Sequence, residues 1–182
     1  MPPEHRVPDQ ALLRAAAGGD RECLAQLLDR YQGRLWRLLL RLTGGPQEAE
    51  DLLQETFVRV LRSYRTFSGH SSFATWMYAI ALNVFRSRLR KQRRQTPQPV
   101  DLMAVSGTAS PETSAEQHEA AEQVRRAVQS LPEQQRSAII LSRYEGMSYE
   151  QIAEIFGCSV DAVKQRVRRA MAHLRELLKG LE

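Results

Sequence analysis

Lys164, Gln165, Arg168 and Arg169 stand one and four residues apart near the end of the chain. On a helix that spacing puts all four on one face. Arg and Lys donate to guanine edges in a DNA major groove and Gln pairs with adenine, so this set can read bases. A second group lies upstream, where Arg86, Arg88, Arg90, Lys91, Arg93 and Arg94 place six cations in nine residues. Such density holds phosphate without reading sequence. Just before it come Phe67, Phe73, Trp76, Tyr78 and Phe85, rings that either stack on unpaired bases or fill a core. The polar turn at 68–72 contains Ser71 and Ser72, whose hydroxyls and backbone N–H groups suit an extruded base. A third group is acidic: Glu48, Asp51 and Glu55 fall three and four apart, with Gln54 beside them. An acidic face inside a basic block repels phosphate and fits a basic protein partner.

These groups need helices to position them, and helical periodicity dominates the chain. Asp9 can cap a short helix ending at Gly18-Gly19. Asp20 then caps a longer one with Leu24, Leu27, Leu28, Tyr31, Leu35, Leu38, Leu39 and Leu42 on one stripe. Gly44-Gly45-Pro46 stops it and starts a third, which carries Ala49, Leu52, Leu53, Phe57, Val60, Leu61 and Tyr64 inward. A fourth runs from about Phe73 to Arg94, burying Phe73, Met77, Ile80, Ala81, Val84 and Leu89. Trp76 falls at the edge of that stripe, as a core residue or as a wedge against bases. Asn83 and Arg86, seven and ten residues on, lie near its face.

Residues 95–115 mix Pro97, Pro99, Gly107 and Pro111 with Ser and Thr, and no apolar period survives there. This reads as a flexible linker, reaching ~70 Å fully extended and ~25 Å as a coil. Four further helices are expected at about 116–130, 133–145, 149–156 and 160–179. In the last two, Ser148 and Gln151 form a capping box, Ala153 allows a close crossing, Gly157 allows a sharp turn and Ser159 caps again. Ile152, Ala153 and Phe156 face inward, as do Val163, Val167, Ala170, Leu174 and Leu177. Cap, small residue, glycine turn, second cap and basic face together describe a DNA-binding helix-turn-helix. The expected fold class is all-α: two small helical domains, 1–94 and 116–182, joined by the linker.

The chain has 182 residues, 26 basic and 21 acidic, for a net charge of +5. Residues 1–95 carry +7, 96–122 carry −5 and 123–182 carry +3, so two basic blocks flank an acidic connector. A basic balance suits a polyanion. Cys23 and Cys158 are far apart and in no metal-ligand spacing, which fits a reducing cytoplasm. The polar, Pro-rich start is no signal peptide, and no apolar run approaches the ~18–20 residues that span a bilayer. No phosphate loop, metal cluster or nucleophile–base set is found. His5, His70, His118 and His173 are scattered. Neither an enzyme nor a cofactor is therefore expected.

Three blocks then stand in order: AEDLLQETF at 49–57, SSFATWMYAIALN at 71–83 with its Arg-rich end, and Leu131-Pro132 followed by GMSYEQIAEIFGCSVDAVKQRVRRA. By these the chain resembles an extracytoplasmic-function (ECF) sigma factor of bacterial RNA polymerase, over about 10–94 and 120–178. The resemblance implies an alternative sigma factor that directs promoter-specific initiation. It makes 1–94 the sigma region-two domain and 116–182 the region-four domain. It places Asp51, Gln54 and Glu55 on the helix that docks on the β′ coiled coil of polymerase core, with the β subunit as a further partner. Phe67, Ser71, Ser72, Phe73, Trp76, Asn83, Arg86 and Arg90 would meet the −10 element of promoter DNA. Tyr149, Lys164, Gln165, Arg168 and Arg169 would meet the −35 element. An anti-sigma factor is a further implied partner, and no membrane insertion is implied. Primary sigma factors carry two adjacent aromatics where this chain has Trp76-Met77, so melting would depend more on a near-ideal promoter. A stand-alone helix-turn-helix regulator would share only the last block. A nucleic-acid enzyme would need a catalytic set that is not apparent.

Overall fold

A computed structural model describes residues 7–95 and 115–179. Eight α-helices are seen there and no strand: α1 Asp9–Ala17, α2 Arg21–Thr43, α3 Pro46–Ser63, α4 Phe73–Gln95, α5 Ala115–Ser130, α6 Glu133–Arg143, α7 Tyr149–Phe156 and α8 Val160–Leu177. A single 3-10 turn, Tyr64–Thr66, follows α3. Most of the linker at 95–115 lies outside the described residues. Its ends, Gln95 and Ala115, belong to α4 and α5.

The first four helices form one unit. Asp20 starts α2 by accepting from the N–H groups of Glu22 (2.9 Å) and Cys23 (3.1 Å), which satisfies two of the four donors a helix start leaves open. The Leu stripe of α2 then buries Leu27, Leu35, Leu38, Leu39 and Leu42 completely. Ala49, Leu52 and Val60 of α3 and Met77, Ala81, Leu82 and Val84 of α4 close over them. Each such Leu contributes roughly 1.5–3 kcal/mol of transfer free energy. Asp9 does not cap α1 as expected: Pro8 holds the cap position without a side-chain bond, and Asp9 is the first helical residue. Its carboxylate ties α1 to α2 instead, accepting from the Tyr31 hydroxyl and pairing with Arg30. Burial, then that hydrogen bond, pushes the Tyr31 hydroxyl up to about 12.

The second unit stacks α6, α7 and α8 around Ala138, Ile140, Leu141, Ile152, Val163 and Ala170, with α5 at its side. Several burial expectations need correction. Leu61 at the end of α3 and Leu177 at the end of α8 are 49% and 50% exposed. Each continues its helix's apolar stripe past the neighbour that could cover it. Ile80, Leu89, Phe57, Tyr64, Phe156, Leu28 and Leu174 are half-buried rather than fully inside.

The two units pack against each other. α2 and α4 of the first meet α5, α6 and α7 of the second. Glu145 is the hub: its carboxylate accepts from the Tyr78 hydroxyl at 2.9 Å and pairs with Arg41 at 3.3 Å. The Arg41 guanidinium also lies 4.7 Å from the Tyr144 ring centre. Arg86 pairs with Glu133 at 2.9 Å. Gln129 and Arg125 of α5 donate to the carbonyls of Arg41 (2.6 Å) and Gly44 (2.7 Å) at the carboxyl end of α2. Orphan carbonyls there are capped by cationic and amide groups from the other unit.

Candidate nucleic-acid interface

The α7–α8 pair builds as its local residues require. Ser148 and Gln151 exchange both capping-box hydrogen bonds, at 2.9 and 3.3 Å. Gly157 takes a left-handed φ of 60°, which a side chain would strain. Ser159 accepts from the Ala162 N–H at 3.2 Å and so starts α8. Val163, Val167 and Ala170 are buried against α6 and α7, and this fixes the rotation of α8. The opposite face presents Lys164, Gln165, Arg168 and Arg169, all exposed. Only Lys164 is paired among the described residues, with Asp161 at 3.3 Å, and both partners are open to solvent. Such a pair is worth little and yields readily to phosphate. Tyr149 opens α7 and is half-buried.

In the first unit the rings divide. Phe73, Tyr78 and Phe85 are core residues. Phe67 and Trp76 are half-buried and lean on Phe73, with ring centres 5.7 and 5.5 Å from it and 5.4 Å from each other. Phe73 is thus the floor of this cluster, and its two neighbours keep an open edge. Ser72 caps α4 by accepting from the Thr75 N–H at 3.0 Å, and its hydroxyl also meets that of Thr75 at 2.8 Å. Ser71 is half-buried beside it. Asn83 and Arg90 are exposed. Arg86 is half-buried and turned to Glu133 of the second unit, so it is held away from solvent in this arrangement.

Asp51, Gln54 and Glu55 are all exposed on α3. Their acidity is partly answered at home. Arg88 stands 3.5 Å from Asp51, Arg59 2.6 Å from Glu55, and Gln92 donates to Glu48 at 2.9 Å. Sequence reasoning missed Arg41, Glu133, Arg136, Glu145 and Arg166. Arg136 is 6% exposed, lies over the Phe85 ring at 5.5 Å and donates to Gln129. Burial holds its guanidinium below the usual value. Arg136 stands between Gln135 and Ser137, ahead of the apolar run 138–141, so the sequence carries no sign that this cation is buried. The others carry no periodic mark.

Comparison with known proteins follows the same division. Residues 27–95 match the family model for Sigma-70 region 2, and residues 121–174 match Sigma-70, region 4. A stand-alone helix-turn-helix regulator would leave the first match unexplained. The chain is 33% identical to the RNA polymerase sigma-H factor of Pseudomonas aeruginosa, covering 95% of each chain. It is 34% identical to the ECF RNA polymerase sigma-E factor of Escherichia coli, covering 91% of each. Among solved structures it resembles the sigma factor RpoE of Bartonella quintana, crystallised with the anti-sigma factor NepR. The TM-score is 0.74 and the identity 31%, over 86% of this chain and 97% of that one. CnrH in complex with the cytosolic domain of CnrY gives a TM-score of 0.70 at 28% identity, over 94% and 97%. The protein therefore belongs to the ECF sigma factors, the alternative sigma factors that direct RNA polymerase to specific promoters for transcription initiation.

Proposed function

We propose that the work of this sigma factor divides between the two units, 1–94 for polymerase core and the −10 element and 116–182 for the −35 element. The face of α8 carries this reading: three buried side chains fix its rotation, and four polar ones face outward together. Lys164 or Arg168 reads bases, and Arg169 holds phosphate. Gln165 and Tyr149 complete the contact. In the first unit Phe67 and Trp76 offer ring edges to the unpaired non-template strand over Phe73. Ser71 and Ser72 line the turn beside them, and Asn83, Arg86 and Arg90 continue along α4. Asp51, Gln54 and Glu55 dock on the β′ coiled coil of core, with the β subunit as a second contact.

The protein works by binding rather than by catalysis, in the cytoplasm. Among the described residues no helix is long and apolar enough to cross a membrane. An anti-sigma factor is a fitting partner, since two structural relatives were solved with such proteins or a cytosolic domain bound. Single Ala variants of Lys164, Gln165, Arg168 and Arg169, assayed with core polymerase on an upstream-randomised promoter library, test the α8 reading. A base-reading residue costs ~1–3 kcal/mol and relaxes one position; a phosphate-holding one lowers the salt slope by about one. Four variants with unchanged preference and salt dependence would overturn it. Charge reversal of Asp51 and Glu55 is expected to weaken binding to core while helicity is retained.

A further inference from the structure

The seam between the units contains a cleft of about 260 Å³ lined by Arg86, Arg90 and Arg93 of α4, Glu133 of α6, Phe156 of α7 and Arg166 of α8. An adjoining hollow of about 540 Å³ shares Arg93, Glu133 and Arg166 and adds Arg169. Five guanidiniums thus surround one carboxylate. That carboxylate is already engaged, by Arg86 at 2.9 Å and by the Ser137 hydroxyl at 3.2 Å. Arg90, Arg93, Arg166 and Arg169 have no carboxylate partner among the described residues. The crowding crosses the seam. Arg86 of the first unit and Arg166 of the second lie over the same Phe156 ring, 4.8 and 5.1 Å from its centre. Their guanidinium carbons are therefore at most about 10 Å apart. Arg93 is near enough to the buried Arg136 to disfavour its charge.

Closing the two units brings like charges together, which opposes closure. A multivalent anion seated between the walls reverses that sign. Guanidinium forks match phosphate oxygens two at a time. An isolated phosphate has few oxygens to share between the walls, whereas linked phosphates present successive charges to both. We propose that this interdomain cleft binds a short chain of linked phosphates. Arg90 and Arg93 hold it on one wall, Arg166 and Arg169 on the other, and its binding locks the units together. The volume, room for about eight waters at ~30 Å³ each, suits such a chain. Arg90 and Arg169 are also promoter-contact candidates, so the bound anion would compete with DNA. That corollary rests on the proposed function; the site itself does not.

The test is calorimetric titration of the full chain with inorganic tripolyphosphate, at constant ionic strength near ~150 mM where surface attraction is screened. One site is expected, at least tenfold tighter for tripolyphosphate than for orthophosphate. Arg93→Ala and Arg166→Ala should each weaken it about tenfold or more, the usual loss for a charged hydrogen bond. Arg169→Ala, exposed and unpacked, repeats the second wall without disturbing Phe156. Arg14→Ala on α1 removes the same charge far from the cleft and should change affinity less than twofold. Hydrogen exchange should slow on both α4 and α8 when the anion binds. A nucleoside triphosphate in a second arm identifies the source. Affinity equal to tripolyphosphate assigns binding to the phosphate chain alone, and tighter binding assigns it to a nucleotide. The proposal is overturned if orthophosphate binds as well, if Arg14→Ala weakens binding equally, or if only one wall's variants matter.

Discussion

Glu145 is an unremarkable acid in the sequence, yet its side chain is 7% exposed and ties α2 and α4 to the turn after α6. A buried carboxylate is costly unless its charge and lone pairs are satisfied. Here Arg41 and the Tyr78 hydroxyl do so. Burial, then the Glu145 charge, pushes the Tyr78 hydroxyl well above the ordinary tyrosine range, so it stays protonated and donating. Removing the two partners should not be equivalent. Glu145→Ala strands the Tyr78 hydroxyl and the Arg41 guanidinium, and should cost about 1–3 kcal/mol. Tyr78→Phe leaves Glu145 its Arg41 partner and should cost only about 0.5–1.5 kcal/mol. Urea denaturation of both variants checks the order. Equal losses would mean that Glu145 acts through the Tyr78 hydroxyl alone.

At the scale of the helix, α5 works as a cap for α2 from outside its own unit. Glu122 aligns Arg125 through two short bonds, at 2.6 and 2.7 Å, and Arg125 then reaches the Gly44 carbonyl. The Arg125 hydrogen bonds, helped by Arg126, hold the Glu122 carboxyl at about 2, below its usual 4.5. A carboxylate depressed on folding stabilises fully above its unfolded value and loses that contribution as pH falls through the folded one. The contribution of Glu122 should therefore fade between about pH 4.5 and pH 2. Glu122→Gln should flatten the acid limb of melting temperature against pH in that window and leave the neutral limb parallel. Gly44 is the matching half of the junction. Its φ of +81° is left-handed, and an added Cβ would stand 3.0 Å from the Gln129 side chain. Gly44→Ala should cost on the order of 1–3 kcal/mol, read as a lower urea midpoint. The Gly44-Gly45-Pro46 break was legible in sequence because left-handed glycine and first-turn proline are local demands. That Gln129 would close over it was not.

Across the whole molecule the two units face each other with promoter-contact candidates on the seam. Arg86 is held by Glu133, while the outward face of α8 stays open. A chain that must open before part of it can bind shows an affinity reduced by the open fraction. Glu133→Ala removes one interdomain tie and frees Arg86. The full-length variant should bind a single-stranded −10 oligonucleotide several-fold tighter and sediment as a more extended particle. Unchanged affinity and shape would show that the seam does not compete with DNA.

The sequence alone determined the helices, the caps at Asp20, Ser148 and Ser159 and which face of α8 looks outward. All of these depend on residues within about four positions of one another, where helical period and capping chemistry leave a readable pattern. The three ordered blocks also determined the family, because their residue types and order are specific. Tertiary structure alone decided which rings are core and which keep an open edge, since a helix's period names its apolar face but not the neighbour that covers it. It also decided the charge pairing. Arg41–Glu145, Tyr78–Glu145 and Arg86–Glu133 join residues 104, 67 and 47 positions apart. A pair at such separation has no periodic signature. It exists only where two helical faces dock, and docking is set by the summed fit of both surfaces rather than by any residue's immediate neighbours.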